Sequence, residues 1–237
     1  MNSQTYGESE AFVHYCARTF RNLLQSSARP GTIHELEYFH LPSQLRSSSG
    51  SHTSSTHAEE TINPYALGAL ITLLDKEVTF AFALQERWLA ADHPLTRWVM
   101  LRTGARVSRP DQAQFALFGS GESGNLVTQL HPGTLLEPEA GATAIYCVEQ
   151  LHEANKPVTL ARAHRAHLLL DLSGPGIETQ QQVRVYGMSV QEVERVNVLR
   201  KKYPLGIDVF LIDATGACLG LPRTTRINST WEQGADW

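Results

Sequence analysis

Lysine is nearly missing from this sequence: four of its 20 basic residues are Lys and 16 are Arg. Arg is the better fork for planar or phosphate oxygens, although genome composition alone gives the same skew. Cysteine is scarce as well. Cys16, Cys147 and Cys218 are far apart, odd in number and set in apolar surroundings, which excludes a disulfide framework or a CxxC metal site and reads as core thiols. An excess of positive charge is also absent, and the net charge of -4 argues against a surface built to hold nucleic acid. No apolar run approaches the roughly 20 residues of a membrane-spanning helix. The start, MNSQTYGESEAF, has neither the basic residues nor the apolar stretch of a secretory signal, so a cytoplasmic protein is expected.

What is present is a chain of 237 residues, 42% hydrophobic, long enough for one large domain or two small ones. Phe12, Cys16, Phe20, Leu23 and Leu24 recur at helical spacing opposite Arg18, Arg21 and Gln25, predicting a helix from Ser9 to Ser26 with those apolar residues inside. A strand over 32–39 follows. Residues 43–61 are Ser/Thr-rich and read as a disordered loop, in which His52 and His57 have no third ligand nearby. Asn63-Pro64 opens a helix, apolar all round, that belongs between layers. Strands are expected over 78–84, 114–118, 142–148, 165–172, 183–186 and 207–212. The last of these turns back at Asp213–Gly216 into a hairpin ending at Leu221. A helix over 94–102 stops at Gly104, and Ser189-x-x-Glu192 is a capping box opening a helix whose Arg200, Lys201 and Lys202 suit its dipole. Alternating strands and helices predict a three-layer α/β/α arrangement around a mixed sheet, with a flexible tail at 229–237.

Candidate chemistry is sparse. Gly119-x-Gly121-x-x-Gly124 matches a dinucleotide fingerprint as a string, but Pro132 cuts off the helix behind it, so the stretch reads as a core edge and a flexible turn. Ser173-Gly174-Pro175-Gly176 reads as a tight turn, because Pro175 removes a donor from any phosphate cradle. His164 and His167 are i,i+3 without the rest of a metal motif. Asp171 and Asp208 interrupt apolar strands and must each have a partner, either an Arg or backbone donors, or else they pair as acids lining a cleft. Arg223-Thr224-Thr225-Arg226 offers two guanidinium forks and two hydroxyls fit for phosphate or phosphonate, or equally a solvated edge strand. Were it a strand, alternation would aim at most half of the group at one ligand.

YPLGIDVFLIDATGACLGLPRTTRI at 203–227, PEAGATAIYCV at 138–148, LDLSGPGI at 170–177 and TFRNLLQSSARPGTI at 19–33 together resemble the PhnH family of the bacterial carbon-phosphorus lyase system, over residues 11 to 228. The resemblance implies a single domain over 1–237 with a reduced pyridoxal-phosphate-dependent transferase fold, no cofactor, and a homodimer in isolation. It also implies partners of the PhnG, PhnI and PhnJ type, working with PhnL where a phosphonate displaces adenine from ATP to give ribose 1-phosphonate 5-triphosphate. On that reading the chain is an accessory subunit of a transferase complex, and the iron-sulfur radical step belongs to another subunit. None of Lys76, Lys156, Lys201 or Lys202 is a credible Schiff-base anchor. The rival reading is a free-standing nucleotide-binding α/β enzyme using the Gly119–Gly124 loop. A scaffold with no ligand is the third.

Overall fold

The computed structural model describes residues 3–41, 62–156 and 165–233. The Ser-rich segment, His164 and the last four residues lie outside them.

The central sheet is built from runs that are apolar on both faces. Its middle strands are β2 (Thr79–Leu84), β5 (Phe115–Phe118), β6 (Thr143–Cys147) and β10 (Asp208–Ile212), all parallel and adjacent in that order. Consecutive residues point to opposite sides. Ala144 and Tyr146 enter one core while Ile145 and Cys147 enter the other, and β10 divides Val209 and Leu211 from Phe210 and Ile212 in the same way. That is why these strands read as continuous hydrophobic stretches rather than alternating ones. The edges are antiparallel. β11 (Ala217–Leu221) hairpins onto β10 and pairs with β1 (His34–Glu35). At the other edge, β3 (Arg87–Trp88) runs antiparallel and β4 (Arg106–Val107) parallel to β2.

One face is covered by helices α1 (Ser3–Ala28), α2 (Pro64–Leu73) and α3 (Pro94–Thr103). Asn63 caps α2 as its sequence predicts, its Oδ1 accepting from the N–H groups of Tyr65 and Ala66 at 2.9 and 3.1 Å. Gly104, at φ +77°, ends α3 by donating to the Met100 carbonyl. The buried face of α1 is only partly the expected one. Leu23 is buried and Phe12 and Cys16 pack against the core as expected, but Phe20 and Leu24 are 50% and 59% exposed, and Tyr15, Thr19 and Ser26 point inward beside Leu23. The cause is close approach of α1 to two glycines. A Cβ at Gly220 of β11 would lie 2.5 Å from the Ser26 carbonyl carbon, and one at Gly68 of α2 would lie 1.9 Å from the Tyr15 hydroxyl. Two missing side chains thus set the rotation of α1, and hydrophobic periodicity cannot report that.

The other face corrects the three-layer α/β/α expectation. It carries a second, antiparallel sheet of β12 (Arg226–Glu232), β8 (His167–Ser173), β9 (Gln181–Tyr186) and β7 (Gln150–Glu153), in that order, together with helix α4 (Val190–Leu199). Leu168, Leu170 and Leu172 of β8 fill the core while Leu169, Asp171 and Ser173 alternate outward, the pattern of a half-solvated sheet. β7 and β12 are short or polar, so apolar run length misses them. Residues 229–232, expected in a flexible tail, complete β12, where Thr230 pairs with Leu169 and Glu232 with His167.

The capping box of α4 is half filled. Ser189 Oγ accepts from the Glu192 N–H at 3.2 Å, but the Ser189 N–H donates at 2.6 Å to Glu122, a residue from the glycine-rich turn. Glu192 is instead fully buried, accepting from Tyr146 Oη and from Arg195 Nη1, each at 2.7 Å.

Candidate functional site

The motifs read separately along the sequence meet around one guanidinium. Arg223 follows β11 in the turn 222–225, closed by the Thr225 N–H donating to the Pro222 carbonyl at 2.8 Å. Its Nη2 donates to Asp208 Oδ2 at 2.6 Å, its Nε lies 3.2 and 3.3 Å from the two Asp208 oxygens, and its own N–H donates to Oδ1 at 2.7 Å. The remaining donors reach the Pro138 and Gly141 carbonyls. The pair is 15% and 33% exposed, so this is a bidentate, largely desolvated clamp. The clamp also demands its glycines. A Cβ at Gly141 would lie 2.4 Å from the Gly206 carbonyl and 2.7 Å from Arg223 Nη1, and one at Gly206 would meet Arg223 Cβ at 3.1 Å. PEAGAT, PLGID and PRTT are therefore three pieces of one junction. LDLSGPGI joins it at Gly174, φ +132°, against the Thr224 carbonyl.

Beside the clamp opens a cleft of about 650 Å³ between the end of α4, the turn 222–225 and β12. Among the described residues it is lined by four cations, Arg200, Lys201, Arg223 and Arg226, and by no Asp or Glu. Of these, Arg223 is paired with Asp208. Lys201 and Arg226 are exposed and have no ion-pair partner among the described residues. Arg200 is the unusual member. Its Nε and Nη2 donate to the carbonyls of Ile207 and Leu221 at 3.0 and 2.6 Å, and its buried Nη1 has no partner among the described residues. Burial pulls this guanidinium down to about 10 while Asp208 pulls it the other way, so it stays cationic at neutral pH. The buried hydroxyl of Thr225 likewise has no partner among the described residues. In a chain of net charge -4, this is a local concentration of positive potential.

The structure thus brings all four residues of Arg223–Arg226 to one cleft. The expected alternation between faces does not apply, because 222–225 is a turn and not a strand. The two carboxylates are not brought together. Asp208 serves the clamp, whereas Asp171 is only partly buried on the outer face of β8, accepting from the Gln180 and Gln182 amides at 3.1 and 2.6 Å. Arg200 and Asn197 escape a sequence reading. Arg200 looks like a helix-dipole partner, and its burial depends on β10 and β11 packing over the end of α4.

The Gly119–Gly124 loop borders a second cleft of about 460 Å³ at the carboxyl ends of β5, β6 and β10. Its glycines are explained by packing, not by room for a phosphate. A Cβ would lie 2.3 Å from Leu84 Cδ2 at Gly119, 2.0 Å from the Gly187 carbonyl oxygen at Gly121, and 2.5 Å from Glu86 Cβ at Gly124. Behind the loop stands one turn of tight helix, Leu126–Gln129, in place of a crossover helix. Nor do the cysteines supply a nucleophile. Burial pushes Cys147 and Cys218 up to about 12 and raises Cys16. His167 is engaged with Glu232 at 3.0 Å, and no group of three His, Cys, Asp or Glu among the described residues is placed to hold a metal ion. No helix among them is long and apolar enough to cross a membrane.

Fold and cleft define an α/β protein whose distant motifs converge on a recess lined by four cations. Residues 8–228 match the family described as bacterial phosphonate metabolism protein, PhnH, and the chain belongs to that family. A relative from Stutzerimonas stutzeri, named as the C-P lyase subunit protein HtxG, is 30% identical over 165 residues, 69% of this chain and 73% of the relative.

Proposed function

We propose that this protein acts as a subunit of a carbon-phosphorus lyase assembly with PhnG-, PhnI- and PhnJ-type partners. Its place is at the step where a phosphonate displaces adenine from ATP to give ribose 1-phosphonate 5-triphosphate. The observation that carries the reading is family membership across nearly the whole chain, together with the gathering of the family-like motifs at one cleft. A subunit role is supported further by what the described residues leave uncovered. Val13, Phe20 and Leu24 form an exposed apolar stripe along α1, the kind of surface that association covers. Within this reading the chain is a cytoplasmic homodimer when isolated and a single domain. Its fold is a reduced form of the pyridoxal-phosphate-dependent transferases. The cofactor does not fit: all four lysines are exposed, and none offers the desolvated amine a Schiff base needs.

Affinity capture of the tagged full chain from phosphate-starved cells tests the proposal. Recovery of PhnG-, PhnI- and PhnJ-type subunits in fixed proportion is the expected result. Recovery of the chain alone, from cells shown to express those subunits, overturns it.

A further inference from the structure

The geometry points to the basic cleft as a binding site for a small molecule carrying several phosphoryl charges, with Arg200 and Thr225 at its inner wall and Lys201 and Arg226 at its rim. The inference goes beyond the assembly reading and stands on the cleft alone, so either can fail without the other.

Three independent observations support it. The first is charge. Four cations line one recess, a single carboxylate from outside the lining neutralises one of them, and Lys201 and Arg226 have no ion-pair partner among the described residues. A protein does not gather like charges on opposite sides of a recess for stability, since their repulsion opposes folding; an anion between them reverses the sign. The second is the pair of orphaned donors. Arg200 Nη1 and Thr225 Oγ1, in residues that line this cleft, are buried without partners among the described residues, and a buried polar group left unpaired costs more than one that is satisfied. Other buried polar atoms lack partners elsewhere, but here two of them border one cationic recess. The third is construction. Arg200 is held by two backbone carbonyls and not by a carboxylate, so its charge is positioned but left for a ligand. Arg223, saturated by Asp208 and two carbonyls, instead fixes the wall. A volume of about 650 Å³ suits a ligand of nucleotide size and exceeds what a lone phosphate fills.

The test is calorimetric titration of the purified full chain with inorganic tripolyphosphate, with citrate as a polyanion of carboxylate chemistry and inorganic phosphate as the minimal fragment. Saturable tripolyphosphate binding, stronger than citrate or phosphate and weakening as salt rises, is expected. Lys201→Gln and Arg226→Gln, both exposed and without an ion-pair partner among the described residues, each weaken it about fivefold. Thr225→Val removes the orphaned hydroxyl without changing shape, so it weakens binding about tenfold while the ligand-free melting temperature stays level or rises. Arg165→Gln, a cation paired with Glu149 beside the other cleft, binds as the parent does. Arg200 itself is left alone, because its carbonyl bonds hold the fold. Absence of saturation at millimolar tripolyphosphate, equal affinity for citrate, or unchanged affinity in the three cleft variants overturns the assignment.

Discussion

Two clefts lie at opposite ends of the same parallel strands, and they reverse the usual expectation. Open α/β sheets bind ligands beyond the carboxyl ends of their strands, which is where the glycine-rich turn Gly119–Gly124 sits. Yet the glycines there face Leu84, Gly187 and Glu86, and Glu149, the one charge lining that cleft among the described residues, is paired with Arg165. The basic recess lies beside the amino ends of β6 and β10. Its glycines make room for an Arg-carboxylate clamp, and its cations outnumber their partners. Fold position favours the first cleft, and chemistry favours the second. A glycine is evidence of a site only when the space a Cβ would fill is left for a ligand, and here it is not.

The comparison can be broken most sharply at Cys147, which borders the carboxyl-end cleft. With its thiol pushed from an ordinary 9.0 to about 12, labelling of Cys147 and Cys218 in the folded chain should run about a thousandfold below that of an unburied thiol at the same pH. The rate should climb only as pH approaches 12. Rapid alkylation of Cys147 at pH 8, read by peptide mass mapping, would restore that cleft as a chemical site.

Gly121→Ala should come next, costing about 3 kcal/mol or more in urea denaturation, because a methyl group 2.0 Å from the Gly187 carbonyl oxygen forces backbone to move. A mild cost, with loss of some nucleotide affinity instead, would favour the rival reading. Arg223→Met should cost about 2–3 kcal/mol by stranding Asp208, less than a fully buried pair because that carboxylate is a third exposed. Its stability, measured apart from phosphonate-dependent growth, separates the wall of the cleft from its binding groups. The smallest effect is expected at Thr225→Val, between no change and about 1 kcal/mol of stabilisation in the ligand-free chain. Destabilisation by more than that would assign the hydroxyl a structural partner and weaken its place in the recess.

How much of this was legible beforehand follows from the range of the interactions involved. Local signals transferred well. The Asn63-Pro64 start of α2, the Gly104 stop of α3, the Asp213–Gly216 hairpin turn and the double-sided apolar strands depend on residues a few positions apart. Signals that depend on tertiary contact did not. The exposure of Phe20 and Leu24 follows from Gly220 and Gly68, far along the chain, and Glu192 leaves its capping role because Glu122 arrives from another loop. The Arg223–Arg226 cluster was visible as composition but mistaken in geometry, since turn and strand distribute side chains differently. Arg200 was visible only as a charge at a helix end. Its burial, and its bonds to the Ile207 and Leu221 carbonyls, depend on residues distant from it in sequence.

The central claim is that the basic cleft, rather than the glycine-rich turn, is where this protein does its work. Its most direct measurement is growth on a phosphonate as sole phosphorus source, in cells whose only copy carries Lys201→Gln with Arg226→Gln, with co-purification of the other subunits checked in parallel. Growth should slow severely while the assembly stays intact, and Arg165→Gln should grow as the parent does. Parental growth of the double variant would contradict the account.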